Sequence, residues 1–265
     1  MRDSQKRGKS QGAPLREQIE TQPTRRTYSI DLRVHNPSFG GYAGIDGIDP
    51  ARALVSLARV KGIDILAISD FYTTEFAERV QLARGNQSTV IIPAVDVRCR
   101  VGGCEDIVLS CLFPEESGIP VVVDLLKQLG VPRSAAGSDR YIVTHPPERI
   151  IALTEERNGS VLPIRLDKTP LRAQAIPELV ERHGFRAFDL AYPESARYFA
   201  TRWPEEKFHL FNFSNAYALA QVGTRSVRIK LSSPGFDGIR GLLARSEGIA
   251  EREVPMMSRP EKRTR

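Results

Sequence analysis

Histidine is scarce in this chain, with four in 265 residues, at positions 35, 145, 183 and 209. Cysteine is scarcer still. The three present, Cys99, Cys104 and Cys111, are an odd number, which argues for free thiols over a disulfide framework, and their spacing matches no zinc module. No apolar run reaches the length of a membrane span, and the first ten residues are charged with no apolar signal core. The expectation is a cytoplasmic protein with no membrane partner. Gly40-Gly41 and Gly102-Gly103 are loop glycines without the frame of a phosphate loop, and Ser38 has no Gly-x-Ser-x-Gly context. Neither P-loop nor serine-hydrolase chemistry has support.

The formal net charge of +6 is placed at the ends. Residues 1–27 hold seven Lys or Arg against three acids, and residues 251–265 hold five against three. The span between them is balanced, so the basic character belongs to the tails and not to a folded face. Polar tails of this kind, 1–27 and 248–265, are expected to be disordered, serving solubility or tracking a phosphate backbone.

Between the tails, strands and helices alternate. Residues 28–34 read as an alternating strand. Residues 50–61 have apolar side chains at helical spacing, behind an Asp49 cap and with Pro50 at the first helical position, and stop at Gly62. Residues 63–69 and 89–97 are continuous apolar runs, as strands buried on both faces require. Further strands are predicted at 107–113, 160–166, 187–190 and 209–213, with helices at 74–84, 119–129, 147–157, 174–183, 194–201 and 236–245. The alternation predicts parallel strands with helices outside, in a single domain over residues 28–247. By itself it leaves α/β barrel and doubly wound sheet open.

Several segments at predicted strand ends carry chemistry: Asp31-Leu32-Arg33-Val34-His35, Ser69-Asp70-Phe71, Pro93-Ala94-Val95-Asp96, Asp106-Ile107-Val108, Ile164-Arg165-Leu166-Asp167 and Ser214-Asn215-Ala216-Tyr217. In this order they resemble the metal-binding motifs of the PHP (polymerase and histidinol phosphatase) family. That resemblance implies a distorted (β/α)7 TIM-like barrel and, in the family, hydrolysis of phosphate esters at a cluster of divalent metals. It spans about residues 28–247. Against the family pattern, His35 and Asp70 keep their ligand positions, and Asp96 replaces a glutamate with a shorter carboxylate. Arg33, Phe71, Val108, Arg165, Asn215 and Tyr217 stand where the family places other ligands, and none of these coordinates a divalent cation. Asp189 resembles a carboxylate near the family's site without being a ligand.

The substitutions have a logic of their own. Arginine is always charged and pairs with carboxylates or phosphates in bidentate fashion. Arg33 and Arg165, with Asn215 and Tyr217, either line a phosphate-binding pocket or pair with Asp70, Asp96 or Asp189 and plug the barrel mouth. The leading expectation is a non-catalytic pseudoenzyme without a cofactor, acting as an interaction or phosphate-ligand-binding module for a phosphate-bearing small molecule or a protein partner. The enzyme alternative is a phosphatase or nuclease with one Mn, Zn or Fe ion, catalytic residues His35, Asp70 and Asp96, and a phosphate clamped by Arg33 and Arg165. A third reading is nucleic-acid association through the basic tails. Of the other histidines, His145 is expected in a loop, and His183 near a helix C-terminus fits the dipole preference for a cation. His209 opens a strand with no evident partner, and Trp203 is expected to pack at a helix end.

Overall fold

Strand β2 (Ile65–Ile68) is buried at all four positions, as a run of Ile, Leu and Ala covered on both faces must be. It lies between β1 (Arg26–Val34) and β3 (Val90–Val101), parallel to both. The remaining strands are β4 (Cys104–Leu112), β5 (Ser160–Ile164), β6 (Ala187–Asp189), β7 (His209–Phe211) and β8 (Val227–Leu231). This computed structural model describes residues 25–40 and 47–246. The expected tails therefore lie almost wholly outside the described residues, although Arg26 and Thr27 belong to β1 and not to a tail.

The sheet runs in the order β7-β6-β5-β4-β3-β2-β1-β8. It curls until Val34, at the end of β1, forms a parallel bridge with Ala216, just beyond β7. Two backbone hydrogen bonds complete this closure, from His35 N to Ala216 O (2.9 Å) and from Ala216 N to Arg33 O (3.0 Å). Seven strands thus form the ring of an α/β barrel, as the motif order implied. Strand β8 lies outside that ring, antiparallel to the first half of β1, from Arg26↔Leu231 to Ile30↔Val227.

Within the ring, the all-parallel expectation fails at β4. Strands β3 and β4 form an antiparallel hairpin around Gly102-Gly103, and β4 is also antiparallel to β5. Gly102 takes φ +55°, a left-handed conformation that glycine adopts without steric cost. No helix fits between β3 and β4, so their connection cannot be a parallel crossover.

The helices are α1 (Pro50–Val60), α2 (Glu75–Arg84), α3 (Pro120–Gln128), α4 (Pro147–Glu155), α5 (Pro170–Ala173), α6 (Ile176–Glu181), α7 (Ala196–Arg202) and α8 (Phe236–Leu243). Helix α1 starts as its sequence requires: the Asp49 carboxylate accepts from Ala51 N, and Pro50 occupies the first turn. One buried apolar cluster fills the barrel and extends under α4, α6 and α8, and a second joins α1 and α2 to the sheet. The three cysteines are free and buried on the β3–β4 hairpin. Trp203 is buried at the end of α7, and its indole N–H donates to Glu181.

Candidate functional site

The ends of β1, β2, β3, β5 and β6 converge at one mouth of the barrel, where an α/β barrel gathers side chains from many strands. Three of the four non-glycine residues with left-handed backbone among those described stand at this mouth: Tyr72 (φ 54°), Arg165 (φ 49°) and Asn215 (φ 49°). Such conformations are costly for residues with a Cβ and cluster at functional sites.

Arg33 occupies the centre of the mouth and is buried, 4 % exposed. Its Nη2 lies 3.1 Å from an Asp96 oxygen, and its Nε lies 3.9 Å from Asp189. Nε also donates to Asn215 Oδ1 at 3.0 Å, and Nη2 stands 3.3 Å from His35 Nε2. Arg33 therefore joins His35, Asp96, Asp189 and Asn215, four of the residues that the motif order brought to one place. The contact with Asp96 is an ion pair turned away from hydrogen-bond geometry, and both Asp96 oxygens and Arg33 Nη1 are buried without a hydrogen-bond partner.

Asp70 accepts from Asn36 N at 2.8 Å through one oxygen, while the other is buried and unpartnered. His35 stands 3.9 Å from Asp70 and stacks on Tyr217, with ring centroids 4.2 Å apart. Phe71 forms a parallel bridge with Asp96, and the Arg98 guanidinium lies 5.6 Å from its ring centre. Val108 pairs with Arg98 and Ile164 in the sheet, so the apolar replacement lines the mouth without polar contact.

Burial dominates the electrostatics. It pushes Asp70 and Asp189 up to about 7, in Asp70 aided by the nearby Asp96 charge and in Asp189 opposed by Arg33. Asp96 is likewise raised by burial against the opposing pull of Arg33. His35 is held well below its usual range, first by burial and then by repulsion from Arg33, so at neutral pH its imidazole is uncharged. His183 is also buried, which lowers its pKa against the opposing pull of Glu148 and Glu178.

These donors do not fit a divalent ion as arranged. Among the described residues no three His, Cys, Asp or Glu side chains gather where one ion could bind them. A guanidinium, itself cationic, lies against both His35 and Asp96.

Sequence reasoning missed a second set of residues. Arg98, Lys168 and Arg172 join Arg33, Arg165, Asn215 and Tyr217 around a chamber of about 150 Å³. Arg98 and Arg172 share one carboxylate, Asp106, with Arg172 Nε 2.7 Å from it. The guanidinium of Arg165 and the ammonium of Lys168 have no ion pair among the described residues. Burial lowers the pKa of Arg98, Arg165, Lys168 and Arg172, and neighbouring cations lower them further, while Asp139 pulls the other way on Arg98, Asp189 and Asp167 on Arg165, and Cys104 on Arg172. The readable signal was Arg98 in an apolar strand, two residues after Asp96 and so on the same face. Asp31, quoted only as part of a motif, has a structural part: its carboxylate accepts from Ser214 Oγ (2.5 Å), Gly223 N (3.1 Å), Ser214 N and Arg33 N.

No family model and no curated protein sequence matches the chain. Among solved structures, a lesion-specific endonuclease from Pyrococcus furiosus aligns over 82% of this chain and 56% of its own, at 13% identity and a TM-score of 0.59. The chain thus spans little more than half the length of that endonuclease. An amidohydrolase from Chromobacterium violaceum with bound sulfate and no metal aligns over 82% of this chain and 97% of its own, at 12% identity and a TM-score of 0.51. A metal-dependent phosphoesterase from Bifidobacterium adolescentis superposes more loosely, with a TM-score of 0.47 at 13% identity over 81% of this chain and 95% of its own. At these identities the likeness establishes the barrel fold.

Proposed function

We propose that this barrel binds a phosphate-bearing ligand without a metal and without hydrolysing it, serving as a ligand-binding or interaction module. One observation carries the reading: Arg33 is buried between Asp96 and Asp189 and against His35, where a cation would otherwise neutralise the carboxylates. Fixed guanidinium charge is always present and needs no loading, but it lowers no water pKa and so supplies no nucleophile. Arg165 and Lys168, without ion pairs among the described residues, give an anion somewhere to bind.

The names of the structural neighbours favour a second reading, metal-dependent phosphoester hydrolysis. Here His35, Asp70 and Asp96 would hold one Mn, Zn or Fe ion, with Arg33 moved off Asp96. One experiment separates the two. Metal content of the purified protein and hydrolysis of a generic aryl phosphate are measured with added Mn or Zn and with chelator, beside calorimetric titration of inorganic phosphate. The proposal expects no stoichiometric metal, no hydrolysis, and phosphate binding that is indifferent to chelator and lost in Arg165→Ala. Stoichiometric metal that disappears together with phosphatase activity in His35→Ala would establish the second reading instead. A cytoplasmic setting belongs to the proposal as well; among the described residues no helix is long and apolar enough to cross a membrane.

A further inference from the structure

Strand β8 is paired on one side only. It runs antiparallel to the first half of β1, and among the described residues no backbone hydrogen bond reaches its other edge. Such an edge presents a row of unpaired N–H and C=O groups and is a template for one more strand. It is separate from the mouth: β8 pairs with residues 26–30, whereas Arg33 and His35 lie further along the chain.

The two faces of β8 differ. Val227 and Ile229 are half-buried and pack on the main core, and Leu231 belongs to it. Arg228 and Lys230 are exposed on the opposite face, with Ser29 and Thr27 across the ladder. Neither cation has a hydrogen bond or an ion pair among the described residues. Arg225, just before the strand, and Arg26, at the end of the ladder, add two more cations, and residues 26–30 and 225–231 contain no acid. The carboxylate bonded to this ladder, that of Asp64, accepts from Ser29 N at 2.8 Å and precedes β2, on the far side of β1.

This charge decides what can pair there. A second copy is disfavoured. In a two-fold antiparallel pair centred on Ile229, Arg228 of one chain would face Lys230 of the other, and like charges directly opposite destabilise a ladder. An acidic strand makes the same backbone bonds and sets a carboxylate beside each unpaired cation.

We infer that the outer edge of β8 takes an extended acidic segment of a protein partner, added as a further strand. Its carboxylates stand at alternate positions beside Arg228 and Lys230, and the residues between them are apolar and lie on the side of Val227 and Ile229. The spacing follows from the strand, in which residues two apart share a face. Main-chain bonds supply the affinity and the alternate side chains select the partner.

The test titrates a capped, fluorophore-labelled peptide, Glu-Val-Glu-Val-Glu-Val-Glu, into the full chain by anisotropy, and follows amide exchange over residues 227–231. Beside it run a peptide with Gln for every Glu, a fully N-methylated peptide that keeps the charge but has no backbone donor, and an oligothymidylate. The acidic peptide is expected to bind and to slow exchange across β8, and both altered peptides should bind at least about tenfold more weakly. Arg228→Gln combined with Lys230→Gln, both exposed positions outside the core, should weaken the acidic peptide by about fivefold or more. If the N-methylated peptide binds as tightly as its parent, the edge attracts charge without adding a strand and the proposal falls. It falls equally if the acidic peptide does not bind, or if the oligothymidylate binds more tightly and leaves exchange at β8 unchanged. A concentration-dependent dimer that slows the same amides without peptide would put a second copy on the edge and overturn the acidic partner.

Discussion

Arg33 Nη2 lies 3.1 Å from the Asp96 carboxylate, with the arginine 4 % exposed and the aspartate fully buried. Removing one member of a buried pair leaves the other charged and unsolvated. Arg33→Met is therefore expected to destabilise the protein by about 3–5 kcal/mol in urea unfolding at pH 8. The loss should be smaller at pH 5, because burial has already raised Asp96 and Asp189 and they can take up protons once the guanidinium is gone. An equal loss at both pH values would show that the pairing is not what Arg33 contributes.

Asp189 gives a pH dependence of its own. Its carboxyl, ordinarily near 3.8, sits at about 7 in the folded protein, so the folded state holds the proton more tightly than the unfolded chain. Its contribution to stability is full below about pH 4 and is lost as pH rises through about 7. Asp189→Asn keeps an acceptor for Phe213 N, now at 2.9 Å from Asp189, and does not titrate. Relative to wild type, that variant should gain stability steadily between pH 4 and pH 8. A difference that stays flat across this range would refute the assignment.

Asp31 fastens the last loop of the ring to the first strand through Ser214 and Gly223. Asp31→Ala strands several donors at once and is expected to cost about 2–4 kcal/mol, whereas Ser214→Ala, which removes one hydroxyl, should cost about 1 kcal/mol. Thermal or denaturant melts of the two variants check the order, and a costlier Ser214→Ala would contradict it.

All three thiols should be silent in the folded protein. Cys99, Cys104 and Cys111 are buried, and burial pushes the Cys111 thiol up to about 12, far from the thiolate that reacts. Titration with a disulfide reagent at pH 7.5 should find no reactive thiol in the native protein and three after unfolding. A fast-reacting thiol in the native state would mean that the β3–β4 hairpin opens.

The barrel staves were readable because a strand covered on both faces leaves a continuous apolar run, as in β2 and most of β3. The reversal of β4 was not readable: a hydrophobic pattern records which residues are covered, not the direction of the chain. Strand β8 was overlooked although Val227-Arg228-Ile229-Lys230-Leu231 alternates apolar and charged residues without a break. It is a strand on the rim, half exposed, and it falls beyond the last motif. At the site, Arg33, His35, Asp70, Asp96 and Asn215, read from separate motifs, lie side by side. Of the two arginines, Arg33 lies against Asp96 and Asp189, while Arg165 lines the chamber with no ion pair among the described residues. Arg98, Lys168 and Arg172 escaped notice because lone cations on a strand or a short helix look like solvated surface. Only the long β3 arm and the turn after β5 carry them to the same place.

One bridge, Val34 to Ala216, shuts the ring, whereas β1 meets β2, and β2 meets β3, along a ladder. Arg33 and Asn215 stand on opposite sides of that seam and are joined by their own hydrogen bond. The width of the mouth and the fastening of the first stave to the last are thus a single mechanical quantity. A guest that holds Tyr217 and Arg33 together tightens the whole hoop, and its arrival should register as slower amide exchange at His35 and Ala216, the two N–H groups that stitch it.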